Sequence, residues 1–242
     1  MKKLLLIVLI AVLYQYSYSN ETVVKVKAPD FNSVNVLKAD VGDLVYAGTW
    51  GDGVYVSSNE GLTFETKNTG LGNLYINDLV FDSQNNTYIG TQGDGVYKST
   101  NNGNLWIKLN YSGNQNVTTV YINPNDDNII YIGTYGSGLY VSTDGGATWE
   151  NRSRSVVNNG LNLALESMHI TAINLTMKGT LLVGTYGDGV YRSEDNGLNW
   201  RRANSGTEGT KLINQITSIS ADRVLMATND KGMFESNNDA LQ

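Results

Sequence analysis

Five places in the chain repeat one arrangement of groups suited to holding a ligand. Trp50, Gln92, Tyr135, Tyr186 and Asn229 stand at equivalent positions, and after an intervening residue come Asp52, Asp94, Ser137, Asp188 and Lys231. Aromatic rings stack on the C–H faces of a sugar, while carboxylates and amides bond its hydroxyls or a peptide backbone. Taken singly, each residue also has a structural reading. Gly-Asp-Gly is what a tight hairpin asks for, and an aromatic before it can cover a neighbouring sheet. Two carboxylates about 5 to 10 Å apart would be needed for glycoside hydrolysis. Asp78 is the acid nearest a predicted inner strand, where the equivalent residues are Thr119, Ala172 and Ser218; its partner would have to be Asp52, Asp94, Asp188 or Glu166. One histidine, His169, and no cysteine exclude a histidine-rich or thiolate metal site. No EF-hand loop is present, and Asn125 to Asn128 reads as a turn after Pro124. The expectation is therefore no metal, no cofactor and no catalytic residue.

These positions recur because the chain recurs. The phrase GTWGDGVYVSSNEGLTF from Gly48 returns from Gly90, Gly133 and Gly184, with a weaker copy from Ala227, at offsets of 42, 43, 51 and 43 residues. Such a period with strand-type rather than helical apolar spacing belongs to four-stranded propeller blades. The first strand of a unit is predicted at Ile76–Phe81, with relatives at Val117–Ile122, Ile170–Leu175 and Ile216–Ala221. The second is a buried apolar run such as Ile129–Gly133. Gly-Asp-Gly or Gly-Ser-Gly makes the hairpin to the third strand, typified by Val96-Tyr97. Twenty-six glycines against two prolines fit many tight turns between short strands.

The turn out of the third strand reads Ser-x-Asp/Asn-x-Gly-x-x-Trp/Phe. It stands as Ser57, Asn59, Gly61, Phe64; Ser99, Asn101, Gly103, Trp106; Ser142, Asp144, Gly146, Trp149; and Ser193, Asp195, Gly197, Trp200. This pattern resembles the Asp box, or bacterial neuraminidase repeat, which is a structural turn in its family. The repeats are similar to those of photosystem II assembly-factor-like propellers and of the sensor propellers of two-component regulators. The resemblance implies a binding scaffold, and a sensor of this kind is expected to act through a separate partner. It also brings in Asp-box glycoside hydrolases as the alternative. The sialidase pattern is not legible: Arg152, Arg154, Arg192, Arg201, Arg202 and Arg223 match no substrate-carboxylate cluster, and Tyr191-Arg192 is ordinary third-strand sequence.

The organisation follows. Lys2 and Lys3 lead into the apolar run Leu4 to Leu13 and then Ser17-Tyr18-Ser19, which reads as a signal peptide over 1–19 cleaved after Ser19. A single propeller domain is expected over 20–242, secreted or periplasmic, with no membrane insertion. Losing the leader leaves 15 basic against 23 acidic residues, a formal charge of −8, which disfavours nucleic acid. The fifth copy has Ser236 and Asn238 but Ala240 in the glycine position. The alternating segment Thr22–Lys27 is expected to supply its fourth strand, closing an all-β propeller of five blades and giving a monomer. An arc of a larger ring is the competing reading. An insertion of about eight residues between Trp149 and Ile170 carries Arg152, Arg154, Glu166 and His169 on the presumptive ligand face. The expected partner is a glycan or an extracytoplasmic protein.

Overall fold

The computed structural model describes residues 33–153, 164–165, 168–207 and 209–237. The chain is all-β: the described residues form five antiparallel sheets and no helix. Sheet 1 is β1 (Val34–Ala39), β2 (Val45–Thr49), β3 (Val54–Ser57) and β4 (Glu65–Thr66). Sheet 2 is β5 (Ile76–Phe81), β6 (Thr87–Thr91), β7 (Gly95–Ser99) and β8 (Ile107–Lys108). Sheet 3 is β9 (Val117–Ile122), β10 (Ile130–Thr134), β11 (Leu139–Ser142) and β12 (Glu150–Asn151). Sheet 4 is β13 (Ile170–Leu175), β14 (Leu181–Thr185), β15 (Val190–Ser193) and β16 (Arg201–Arg202). Sheet 5 is β17 (Ile213–Ser218), β18 (Val224–Thr228) and β19 (Met233–Ser236). Each strand pairs with its neighbours in chain order, the up-and-down meander of a propeller blade.

Three of the four predicted first strands match within the chain, but the fifth begins at Ile213, three residues before the expected Ile216. Ile213, Ile216 and Ile219 recur at intervals of three, so the sequence offers more than one start for this strand, and the pairing with β18 selects Ile213. A register shift occurs at the second residue of every inner strand. Thr22–Lys27, the segment 1–19 read as a leader, Arg154, Glu166, Asn238 and Ala240 lie outside the described residues.

The sheets stack face to face through their apolar sides. One glycine makes this close approach possible: a Cβ on Gly48, Gly90, Gly133 or Gly184 would stand 2.5 to 2.7 Å from a side chain of the next inner strand, namely Ile76, Val117, Ile170 or Ile213. The cores between sheets are built from β-branched and aromatic side chains, such as Tyr46, Val54, Ile76, Leu79, Ile89 and Trp106 between sheets 1 and 2. Burying each such side chain contributes about 1.5–3 kcal/mol, and no single sheet could hide both of its faces alone.

The Ser-x-Asp/Asn-x-Gly turns tie themselves. Ser99 Oγ accepts from Gly103 N at 2.9 Å and donates to Asn101 Oδ1 at 3.0 Å, and Asn101 Oδ1 also accepts from Leu105 N at 2.9 Å. The turns at Ser57, Ser142 and Ser193 repeat these bonds. The turn then delivers its aromatic to the preceding sheet, as when Trp106 Nε1 donates to Lys67 O at 2.8 Å.

Candidate functional site

The inner strands β1, β5, β9, β13 and β17 line one channel, a cavity of about 480 Å³ walled by Asn35, Asn77, Thr118, Thr171 and Asn214 among others. At its mouth a second cavity of about 490 Å³ is lined by Asn35, Trp50, Asn77, Gln92, Asn116, Thr118 and Tyr135. Three of the five residues read from the sequence as a ligand ring therefore share one concavity. Trp50, Tyr135 and Tyr186 are all exposed.

Two further aromatic groups join them. Each hairpin residue bridges to the residue just before the next inner strand: Trp50 to Tyr75, Gln92 to Asn116, Tyr135 to His169 and Tyr186 to Leu212. His169 lies between two tyrosines, 4.3 Å from the Tyr135 ring and 5.2 Å from the Tyr186 ring, so the three form a continuous ledge. Trp50 meets Tyr75 edge-on at 5.5 Å. Burial pushes the His169 pKa below its ordinary value, which keeps the ring neutral at neutral pH. The sequence reading did not name Tyr75, and it placed His169 on the ligand face only through the insertion that carries it. The signal that could have found them is positional, since both directly precede a repeated inner strand.

The acids of the hairpin turns are engaged differently. Asp94 accepts from Tyr97 Oη and from Lys108 Nζ, both within its own sheet. Burial opposes its ionisation, but these two partners outweigh it and hold the carboxyl below the ordinary range. Asp188 likewise accepts from Tyr191 Oη and pairs with Arg202 at 2.8 Å. Ser137 Oγ accepts from Asn114 Nδ2 at 3.3 Å, and Asn229 N donates to Leu212 O at 2.9 Å. Asp52 N is bonded to Thr49 Oγ1 at 3.0 Å. These turns are thus braced to the body of each sheet, while Trp50, Gln92 and Tyr135 stand at the mouth.

Asp78 lines the channel rather than the mouth. Its Oδ2 accepts from Val120 N at 2.9 Å and Thr119 Oγ1 at 3.0 Å, its Oδ1 accepts from Leu79 N at 2.8 Å, and Lys38 Nζ lies 3.7 Å away. The carboxylate joins sheet 2 to sheet 3. Among the described residues no group of three or more His, Cys, Asp or Glu side chains could hold a metal ion. No helix of the described residues is long and apolar enough to cross a membrane.

Comparison with known proteins agrees with this architecture. The family model of Sortilin-Vps10 (sortilin, neurotensin receptor 3) matches residues 52–171, just under half of the chain. No curated protein matches the chain significantly. Among solved structures, the extracellular domain of a hybrid two-component system from B. thetaiotaomicron is similar with a TM-score of 0.68 at 16% identity, over 91% of this chain and 29% of that one. An ancestral GH74 enzyme gives 0.66 at 19% identity, over 86% of this chain and 29% of the enzyme. YCF48 from Cyanidioschyzon merolae gives 0.60 at 15% identity, over 88% and 72%. The chain thus spans less than a third of the first two proteins. At these identities the likeness shows the fold, a β-propeller.

Proposed function

We propose that this chain is an exported, non-catalytic binding propeller that recognises its ligand through the face bearing the second-to-third strand turns. The observation that carries this reading is the mouth itself. Exposed rings at Trp50 and Tyr135 stand with the amides of Gln92 and Asn116 around a cavity large enough for a small saccharide or a peptide turn, and His169 continues the ledge from Tyr135 to the exposed Tyr186. Amides beside flat apolar faces suit a glycan, whose hydroxyls and C–H faces alternate in the same way. On this reading the Ser-x-Asp/Asn-x-Gly turns are Asp boxes that shape the scaffold, and Asp52, Asp94, Ser137, Asp188 and Asn229 chiefly brace the ledge. Export rests on the leader-like 1–19 segment and accords with the extracellular sensor domains that share the fold. A solved YCF48 structure holds a D1 peptide, so a peptide is the other ligand class to be tried.

A polysaccharide hydrolase is the alternative. Its acid would be Asp78, yet that carboxylate accepts two hydrogen bonds from sheet 3 and a third from Leu79 N of its own strand. A general acid or nucleophile needs an oxygen facing the substrate.

The test is the triple variant Trp50→Ala, Tyr135→Ala, Tyr186→Ala, compared with the parent on a glycan array and a peptide array at unchanged circular dichroism. Losing three stacking faces is expected to weaken binding by roughly tenfold or more. Undiminished binding by the triple variant would remove this face from recognition.

A further inference from the structure

Each junction between sheets is built the same way, in the same direction. The residue left off the ladder by the inner-strand bulge reaches the carbonyl of the next inner strand. Asn35 Nδ2 donates to Ile76 O at 3.0 Å, Asn77 Nδ2 donates to Val117 O at 2.7 Å, and the hydroxyls of Thr118 and Thr171 donate to Ile170 O and Ile213 O. The fifth residue of this series is Asn214. It is exposed, and among the described residues it makes no such bond. β1 packs on β5, β5 on β9, β9 on β13 and β13 on β17, but no comparable contact joins β17 to β1.

The apolar positions agree. Val34 is 44% exposed and Leu37 62% exposed, whereas their counterparts Ile76, Val117, Ile170, Ile213 and Leu79, Val120, Ile173, Ile216 are at most 6% exposed. At the other end Met233 is 69% exposed, whereas its counterparts Val54, Val96, Leu139 and Val190 are at most 5% exposed. The uncovered side of β1 is the half of a junction that the preceding sheet covers. The uncovered side of sheet 5 is the half that a following sheet covers. Among the described residues, two complementary halves of one junction thus stand uncovered, in the register that four made junctions already use.

We propose that this junction is made between two copies of the chain, head to tail, with sheet 5 of one copy against β1 of the next and Asn214 donating to the Val34 carbonyl. A second copy fits better than an unrelated partner because the surface complementary to each end is the other end, continuing an interface repeated four times within the chain. Ala227 replaces the tight glycine of the other four second strands, so its methyl holds this seam wider than the internal ones. The contact is therefore reversible and concentration-dependent. Being heterologous, it adds copies in a row until the rotation closes a ring.

The test is light scattering on full-chain protein purified from the extracytoplasmic fraction, over a hundredfold range of concentration. Average mass is expected to rise with concentration, and Leu37→Asp and Met233→Asp each to shift the midpoint at least tenfold. The two variants spoil opposite halves, so an equimolar mixture is expected to form a capped pair that neither forms alone. Asn214→Asp, a change at an exposed position that leaves the core untouched, is expected to weaken association several-fold with unchanged circular dichroism. A parent that stays monomeric at every concentration would mean that the two faces meet within one chain and would overturn the proposal. So would variants that leave the mass distribution unmoved, or a mixture that forms no pair.

Discussion

The first three junctions between sheets and the fourth use the same parts, but only the first three are filled by an indole. Trp106 and Trp200 are buried, and their Nε1 groups donate across the junction to Lys67 O at 2.8 Å and Arg152 O at 2.7 Å. Trp149 is half-buried and packs on Leu109 and Tyr111, its Nε1 bonding its own turn at Gly146 O at 3.1 Å. Between sheets 4 and 5 the corresponding place is a cavity of about 400 Å³ lined by Leu182, Val190, Ala203, Ile216, Met226 and Phe234. The difference teaches what the turn aromatic is for. A two-residue outer strand such as β8 or β12 buries little by itself, and the ring brought from the next sheet closes the junction at its rim.

The largest effect should come from removing one of these rings. Trp200→Ala deletes a fully buried indole and orphans the Arg152 carbonyl, so a loss of about 3–5 kcal/mol is expected in urea unfolding. Phe234→Ala, at the already loose fourth junction, should cost distinctly less. Equal costs at the two sites would break the comparison, because the fourth junction would then be as well packed as the third.

The turns that deliver the rings also differ between the halves of the chain, and pH should separate them. The turns of sheets 1 and 2 carry Asn59 and Asn101, those of sheets 3 and 4 Asp144 and Asp195. Hydrogen bonds from the Thr148 side chain and backbone and from Ser142 bring the Asp144 pKa down to about 2. Asp195 is also lowered: burial opposes its ionisation, but bonds from Asn199 and Ser193 prevail. A carboxylate whose pKa falls on folding stabilises the fold above its unfolded value near 4, and that contribution fades as pH drops towards about 2. Sheets 3 and 4 should therefore loosen first in acid. The double variant Asp144→Asn, Asp195→Asn is expected to unfold at lower pH than the parent while changing little at pH 7. Tryptophan fluorescence during acid titration checks it, and an unmoved acid midpoint would count against the assignment.

How far the sequence foretold these features depended on whether they repeat within one unit. The Gly48, Gly90, Gly133 and Gly184 phrases align on themselves, so strands, hairpins and the exposed Trp50, Tyr135 and Tyr186 were legible from local chemistry. The start of β17 was hidden because Ile213, Ile216 and Ile219 recur every three residues and offer competing starts. The bracing of Asp94 by Lys108 and of Asp188 by Arg202 was not legible, since it links residues fourteen apart across two strand pairings. Sheet 3 shows the same relation in other residues, with Asn151 Nδ2 donating to Ser137 O at 2.9 Å. His169 was legible as the single histidine and as part of the insertion on the ligand face; its place between two tyrosines comes from the bridge to the preceding hairpin, a contact between sheets that no spacing within one unit reveals.

The smallest effect is also the sharpest test of the junction comparison, because it adds rather than removes. Lys67, Leu109, Arg152 and Ala203 each follow the last strand of their sheet, and each lies beneath the ring or cavity of the next junction. At the second junction Leu109 fills this place and meets Trp149 and Tyr111. At the fourth, Ala203 is buried against the open space and its methyl reaches little. Ala203→Leu should extend into that space without displacing a ring, with a gain of about 1 kcal/mol and a higher thermal midpoint. A lowered midpoint would show that the neighbouring side chains already fill this space, since overpacking costs about 1–3 kcal/mol. The sign of the shift in a melting experiment decides whether the fourth junction is held less tightly than the other three.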